Sequence, residues 1–302
     1  MDTIGLNTLS VERIWFITGS SRGLGRSLME AVLKHGDRVV ATARKVDVFD
    51  ELKATYGDRL LPLALDVTEP AQVAAVVGQA FDAFGRIDVV VNNAGYGFTG
   101  AFEEMTDEEF ESQIDTNFWG VVHVTRAFIP RLRKQGSGHI LQVTSIGGRG
   151  ANPGLSGYQA AKFAAEGFSE AIAQELAPLG LKLTIVEPGG FNTDWAGSSM
   201  GYATPMPEYD ATVGTFRRLI AAHADGALGD PDKAAQAILK LVDLPEAPLR
   251  LPLGNDALFL LRAGYQRSIS ELDRWHDLSA STDRDDLPPF DGPAMLKALG
   301  YA

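Results

Sequence analysis

Ile14-Trp15-Phe16-Ile17-Thr18-Gly19-Ser20-Ser21-Arg22-Gly23-Leu24-Gly25 is the stretch that decides the fold. A short apolar run ends at Thr18, three glycines follow in G-x-x-x-G-x-G spacing, and helix-period residues run from Leu24 to His35. Glycine lacks a Cβ, so the turn can be tight and its backbone can come close to a ligand. The helix N-terminus beyond it presents unpaired N–H groups to an anion. A glycine-rich turn between a first strand and a helix predicts a dinucleotide cradle. Gly36 then predicts the helix stop as a left-handed residue.

Working outward, further apolar runs lie at Arg38–Ala43, Leu60–Asp66, Asp88–Asn92, His139–Ser145, Lys182–Glu187 and Leu249–Leu253. Helix-period segments such as Ala71–Phe84 and Glu108–Arg133 separate them. The runs are rich in Val, Ile and Leu with no clean polar alternation, the pattern of strands covered on both faces. Strands separated by helices predict right-handed βαβ units. The fold expected is α/β, a doubly wound, Rossmann-like parallel sheet of about seven strands with helices on both faces. Thr106 and Glu109 form a capping-box signature before a helix. The acidic run Glu103, Glu104, Asp107, Glu108, Glu109 and Glu111 reads as a solvated helix start that favours the dipole.

Two stretches break the rhythm. Residues 191–226, rich in Gly, Pro, Ser and aromatics, follow the sixth strand, where α/β folds bind ligands, and predict a substrate-covering loop with a short helix. From Asp256 to Trp275, Leu258, Leu261, Tyr265, Ile269 and Leu272 step by three and four, as in an amphipathic helix. The charged Asp283, Arg284, Asp285 and Asp286, the breakers Pro288 and Pro289, and a short helix at Ala294–Leu299 complete the chain. One domain over residues 1–302 is expected, with a core at 11–254 and a C-terminal helical extension at 255–302.

Composition narrows the function. Hydrophobic residues at 45% and charged residues at 22% exclude a disordered chain. A net charge of −12 disfavours a nucleic-acid partner. The absence of cysteine excludes thiol nucleophiles, thiolate metal sites and disulfide scaffolds. His35, His123, His139, His223 and His276 show no ligand spacing, so no metal is expected. No apolar run reaches membrane-span length and the first twenty residues lack a signal pattern. The expected setting is the cytoplasm, with no membrane partner.

Four further groups of residues stand at carboxyl strand ends or on the helix beside them. Asn92-Asn93-Ala94-Gly95 closes the fourth strand, and Asn117 lies in the helix that follows. Ser145 ends the fifth strand thirteen residues before Tyr158, which opens Tyr158-x-x-x-Lys162. Pro188-Gly189 ends the sixth strand, with Thr193 shortly after. With Thr18–Gly25, these groups in this order resemble the TGxxxGxG, NNAG and YxxxK motifs of the short-chain dehydrogenase/reductase family. The resemblance covers about residues 11–254.

That resemblance implies an oxidoreductase that interconverts an alcohol and a ketone or aldehyde, with Asn117, Ser145, Tyr158 and Lys162 as the catalytic set. Tyr158 and Lys162 are one helical turn apart and share a face. A neighbouring ammonium favours phenolate, which is expected to lower the tyrosine pKa from about 10 toward working pH and make Tyr158 a general acid and base. Ser145 is placed to donate to the carbonyl oxygen, where negative charge grows. By resemblance, Lys162 also binds the nicotinamide ribose, and Asn117 holds a water that links Lys162 to solvent.

The same resemblance gives the cofactor a path along the strand ends. Gly19, Ser21, Arg22, Gly23, Leu24 and Gly25 cradle its phosphates, Asp66 and Val67 meet the adenine, and Asn93, Ala94 and Gly95 meet the adenosine ribose. Tyr158 and Lys162 meet the nicotinamide ribose, and Pro188, Gly189 and Thr193 the nicotinamide. At the end of the second strand, Ala43 stands where similar NAD-preferring chains carry an acid that accepts from the ribose 2′-OH. Arg44 and Lys45 follow it, and Arg22 precedes the second motif glycine. Two arginines converging on one phosphate predict NADP(H) rather than NAD(H).

Tyr96, Phe98, Ile146, Leu155, Phe191, Trp195, Met200 and Tyr202 are expected to line the substrate side and suggest an apolar small-molecule substrate. The helix bearing Phe118, Trp119, Val122 and Phe128 would, by resemblance, help form a homo-oligomer, a dimer or tetramer. Two other readings share the fold. Epimerases and dehydratases use a similar Tyr/Lys pair, though typically with TGxxGxxG spacing. Cofactor-binding sensors or scaffolds typically lose the tyrosine, the lysine or a motif glycine, and none is lost here.

Overall fold

The computed structural model describes residues 12–193, 195, 199–223, 226–288 and 290–299. The first eleven residues, parts of the 191–226 insertion (194, 196–198, 224 and 225), Pro289 and residues 300–302 lie outside the described residues. One compact unit extends to Leu261 and a second begins at Arg262.

The first unit is built on strands β1 (Ile14–Ile17), β2 (Arg38–Ala43), β3 (Leu60–Ala64), β4 (Val89–Asn92), β6 (Gly138–Val143), β7 (Leu181–Pro188) and β9 (Arg250–Leu253). They pair in the order β3-β2-β1-β4-β6-β7-β9, every pair parallel. The expected doubly wound seven-stranded sheet is therefore present. The short β5 (Phe98–Thr99) and β8 (Gly201–Tyr202) pair separately, also in parallel.

Alternation along β1 shows how both faces are filled. Trp15 and Ile17 join one core with Leu28 and Leu33 of α1 (Gly23–His35) and Ile238 of α8 (Pro231–Asp243). Ile14 and Phe16 join the other, with Val76 of α3 (Pro70–Phe84), Phe128 of α5 (Gly120–Gln135) and Leu176 of α6 (Ser156–Leu176). Trp15 and Phe16 are both fully buried, so neither face of this strand can carry a polar side chain without loss. Val122 and Phe128, expected at a subunit interface, are instead core residues; Phe128 packs edge-on to Phe16 at 4.8 Å. Trp119, just before α5, and Phe163 of α6 are exposed.

Two local expectations change. The segment expected as one helix at Glu108–Arg133 is α4 (Asp107–Ile114), a π-helical turn at Asp115–Trp119 and then α5. The Thr106 capping box forms as expected, with Thr106 Oγ1 accepting from Glu109 N at 3.2 Å. Glu104 is not solvated: it accepts from Ala101 N at 2.7 Å and pairs with Arg217 of α7 (Thr215–His223) at 3.0 Å. A buried carboxylate needs such partners, and these ones tie the insertion to the chain after β5.

The core reaches Leu261 rather than stopping at 254, because Ala257 and Leu261 of α9 (Asn255–Arg274) are buried. The second unit holds the rest of α9, α10 (His276–Ala280) and α11 (Gly292–Ala298), whose first turn is capped by Asp291 accepting from Ala294 N at 3.0 Å. No helix among the described residues is long and apolar enough to cross a membrane.

Candidate active site

A cavity of about 1040 Å³ lies along the carboxyl ends of the sheet strands. Its near end is the glycine turn after β1. Gly19 and Gly23 adopt φ values of 65° and 56°, which favour glycine. A Cβ on Gly25 would sit 2.3 Å from Asn93 Nδ2 and 2.5 Å from Gly19 O, so this third glycine is required by close packing. The Asn93 side chain explains that closeness, because it donates to Thr18 O at 2.9 Å and Gly19 O at 3.1 Å. Thr18 Oγ1 in return accepts from Asn93 N and Ala94 N. Asn93 thus shapes the turn with its side chain while lining the cavity. No side chain caps the first turn of α1, so its amides remain available to an anion.

Ser21, Arg22, Gly23, Leu24, Ala43, Arg44, Asp66, Val67 and Ala94 also line this end, and Gly95 lies between it and the catalytic residues. Asp66 is partly committed locally, since its Oδ1 accepts from Thr68 N and Oγ1. At the far end, Asn117, Ser145, Tyr158, Lys162, Pro188 and Gly189 share the same cavity, with Thr193 between the ends beside Gly23. Every expected catalytic and cofactor residue except Gly25, which packs behind the turn against Asn93, therefore borders one continuous space.

The catalytic candidates come from three elements. Ser145 leaves β6 and accepts from Gly147 N at 3.0 Å, which opens a tight turn and turns its hydroxyl toward α6. Tyr158 and Lys162 project from α6, both buried. Lys162 Nζ donates to Val143 O at 3.0 Å and lies 5.8 Å from the Tyr158 ring centre. Asn117 sits in the π-helical turn, its Nδ2 donating to Tyr96 O and Gln113 O at 3.0 Å. Its buried Oδ1 has no partner. A Cβ on Gly95 would lie 2.6 Å from that oxygen and 3.5 Å from Lys162 Nζ, so the two polar groups flank the same glycine.

The electrostatics differ from the expectation. Burial pushes the Tyr158 phenol up to about 12, and a hydrogen bond with Ser145 offsets only part of this. Burial also brings Lys162 down to about 8, opposed by the charge of Glu166. In the chain alone, desolvation dominates, and Tyr158 holds its proton through the neutral range.

Of the expected substrate-side residues, Tyr96, Phe191 and Trp195 line the cavity. Trp195 stands over Tyr158 with ring centres 5.4 Å apart. Phe98 and Tyr202 are instead paired in β5 and β8, Leu155 and Met200 are buried, and Ile146 is outside the lining. The insertion also contributes Ser199 and Ile220, and Leu228 just after it joins them. Sequence reasoning missed Ser112, which accepts from the Tyr96 hydroxyl at 2.8 Å, and Asp256, which accepts from Gly190 N at 2.7 Å beside the Pro188-Gly189 turn. No spacing signal pointed to either.

The residues fit a nicotinamide dinucleotide: amides without caps, glycines at the turn and an orphaned Asn117 oxygen all border one cavity. Comparison with known proteins agrees. The family model described as short chain dehydrogenase matches residues 13–200. The chain is 47% identical over 272 residues to oxidoreductase BOA17 of Botryotinia fuckeliana, covering 89% of this chain and 99% of the relative. It is 39% identical over 275 residues to the uncharacterized oxidoreductase C162.03 of Schizosaccharomyces pombe, covering 90% and 92% respectively. A crystal structure of a short-chain dehydrogenase from Streptomyces avermitilis superposes with a TM-score of 0.86 at 38% identity, covering 91% of this chain and 99% of that one. Among solved structures of the same fold at 26–29% identity, two hold NADP, one 5-hydroxy-NADP and one NADH. This chain belongs to the short-chain dehydrogenase/reductase family of oxidoreductases.

Proposed function

We propose that this protein is an NADP(H)-dependent oxidoreductase that interconverts an apolar alcohol and its ketone or aldehyde. The observation that carries this reading is the convergence of Asn117, Ser145, Tyr158 and Lys162 at one end of the cavity that begins at the glycine turn. Bound there, the nicotinamide would supply or accept the hydride. Gly19, Ser21, Gly23, Leu24 and Gly25 hold the phosphates, Asp66, Val67, Asn93, Ala94 and Gly95 the adenosine part, and Pro188, Gly189 and Thr193 the nicotinamide side. Arg22 and Arg44 hold the 2′-phosphate, supported by their place on the cavity wall beside Ala43.

In the reduction direction Ser145 donates to the carbonyl oxygen as negative charge grows on it, and Tyr158 delivers the proton. A phenol held up near 12 is already protonated, so the chain as built is ready to act as the acid. Lys162 keeps a positive charge beside that phenol, and the free Asn117 Oδ1 accepts from a water that resupplies the proton. Tyr96, Phe191, Trp195, Ile220 and Leu228 favour a largely apolar small molecule over a sugar or phosphorylated one. The exposed Trp119 and Phe163 suit a homo-oligomer, and a cytoplasmic setting fits the cysteine-free chain.

Purified protein is assayed for NADPH and NADH oxidation against a panel of ketones, aldehydes and quinones. NADPH-linked turnover of apolar carbonyls, weaker with NADH, is expected. A preference for NADH overturns the arginine assignment. Tight cofactor binding with no turnover of any carbonyl favours a sensor.

A further inference from the structure

Behind the catalytic wall lies a group of buried charges that the reaction as described does not use. Glu166 stands one helical turn beyond Lys162 on α6, and Glu187 stands on β7 just before Pro188. Both carboxylates are almost fully buried, their side chains 5% and 1% exposed. Two arginines from elsewhere in the chain neutralise them. Arg250 of β9 reaches Glu166 at 3.1 Å and Glu187 at 3.6 Å, and its other nitrogen meets Glu170 at 2.7 Å. Arg149, at the end of the Ser145 turn, reaches Glu187 at 3.0 Å and Glu166 at 4.0 Å. Burial and the neighbouring charge of Glu166 push Glu187 up to about 6.

The arrangement bears on the site through one hydrogen bond. Thr144, the residue before Ser145, donates its hydroxyl to Glu166 Oε1 at 2.6 Å. The turn after Ser145 lies on the same part of α6, since a Cβ on Gly148 would meet Glu166 Cγ at 2.8 Å and Lys162 O at 3.0 Å. Glu166 therefore joins the strand end that carries Ser145 to the helix that carries Tyr158 and Lys162. The charged and titratable groups facing it are Lys162 and Glu170 from α6, Arg149 from the turn, Glu187 from β7 and Arg250 from β9. Tyr158 and Asn117 complete the surroundings of Lys162.

We propose that Glu166 is a positioning residue of this oxidoreductase: through Thr144 it fixes Ser145 against the Tyr158–Lys162 helix, and its negative charge holds Lys162 as an ammonium. The proposal rests on the catalytic assignment of Ser145, Tyr158 and Lys162 given above. Burial favours neutral Lys162, and Glu166 is the charge that opposes it. Removing that charge leaves Arg149 and Arg250 balanced by Glu170 and Glu187, with no remaining carboxylate to offset Lys162.

Two variants separate the parts. Glu166→Gln keeps the size and an acceptor for Thr144 but removes the charge; Thr144→Val removes the hydrogen bond and keeps the charge. In reduction assays, E166Q is expected to move the alkaline limb of kcat about one pH unit lower while KM stays within about twofold. Thr144→Val is expected to lower kcat about five- to tenfold with its pH profile in place. A readout independent of turnover is the 13C titration of Lys162 Cε in the cofactor-free protein, assigned with Lys162→Arg. Its midpoint in E166Q falls about one unit below that of the parent. Coincident Lys162 titrations in parent and E166Q overturn the charge role, and an unchanged kcat in Thr144→Val overturns the positioning role. If the parent reduces no carbonyl, the catalytic assignment fails, while the Lys162 titration still decides the charge.

Discussion

The two ends of the cavity are built by opposite means. At the glycine end the backbone makes the surface: positive-φ glycines, amides without caps, and Asn93 holding the turn by its own peptide oxygens. At the catalytic end buried side chains make it: burial pushes Tyr158 up and Lys162 down, and Glu166, one layer deeper, opposes the shift at Lys162. Binding surfaces made of backbone tolerate no added atom, whereas a surface made of buried titratable groups is sensitive to the charge behind it.

The largest expected effect lies at the catalytic end. Lys162→Met lowers turnover by about 10²–10⁴-fold while leaving a folded protein. Its effect on stability has the opposite sign. Lys162 titrates near 8 when folded against 10.5 unfolded, so the penalty of charging it is full below pH 8 and fades as pH rises toward 10.5. The Met variant is therefore expected to be more stable than the parent by about 1–2 kcal/mol at pH 7, with the gap narrowing above pH 8. Urea melts at pH 7 and pH 10 check both statements, and a destabilised variant at pH 7 breaks the contrast.

At the glycine end a single methyl group is the sharper probe. Gly25→Ala forces Cβ into Asn93 Nδ2 and Gly19 O, so either the turn or Asn93 must shift. Dinucleotide affinity is expected to fall by about tenfold or more and stability by about 1–3 kcal/mol. Fluorescence titration of bound NADPH and a thermal melt measure the two effects. Affinity equal to that of the parent would mean that the turn does not hold the phosphates.

A smaller effect belongs to the rim. Arg44→Ala is expected to lower kcat/KM for NADPH about tenfold and to leave NADH within about twofold. Equal losses for both cofactors would show that Arg44 supports the turn and does not select the 2′-phosphate.

The same contrast explains what could be read from the sequence. The sheet was legible because β1, β2, β4 and β6 are short, predominantly apolar runs without clean polar alternation, and the glycine turn because backbone constraints leave a fixed spacing. Tyr158 and Lys162 were legible because one helix fixes their separation. Glu166, Glu187, Arg149 and Arg250 were not, since they come from four elements and meet only after β7 and β9 pair. The tyrosine's acidity was misjudged for a related reason: spacing reveals the neighbouring ammonium but not the burial that dominates. The break in the segment expected as one helix at Glu108–Arg133 was equally silent, because a π-helical turn adds one residue to a pattern whose apolar period it barely disturbs. Glu104 looked like one more solvated acid until the insertion placed Arg217 beside it.

The most direct test compares the parent with Tyr158→Phe for two quantities at once, the dissociation constant for NADPH and kcat for reduction of the best carbonyl. If the two ends are divided as described, the variant binds NADPH within about twofold of the parent and loses about 10²–10⁴-fold in kcat. Turnover that survives in the variant would contradict the assignment of proton transfer to Tyr158, and NADPH binding lost along with turnover would contradict the division itself.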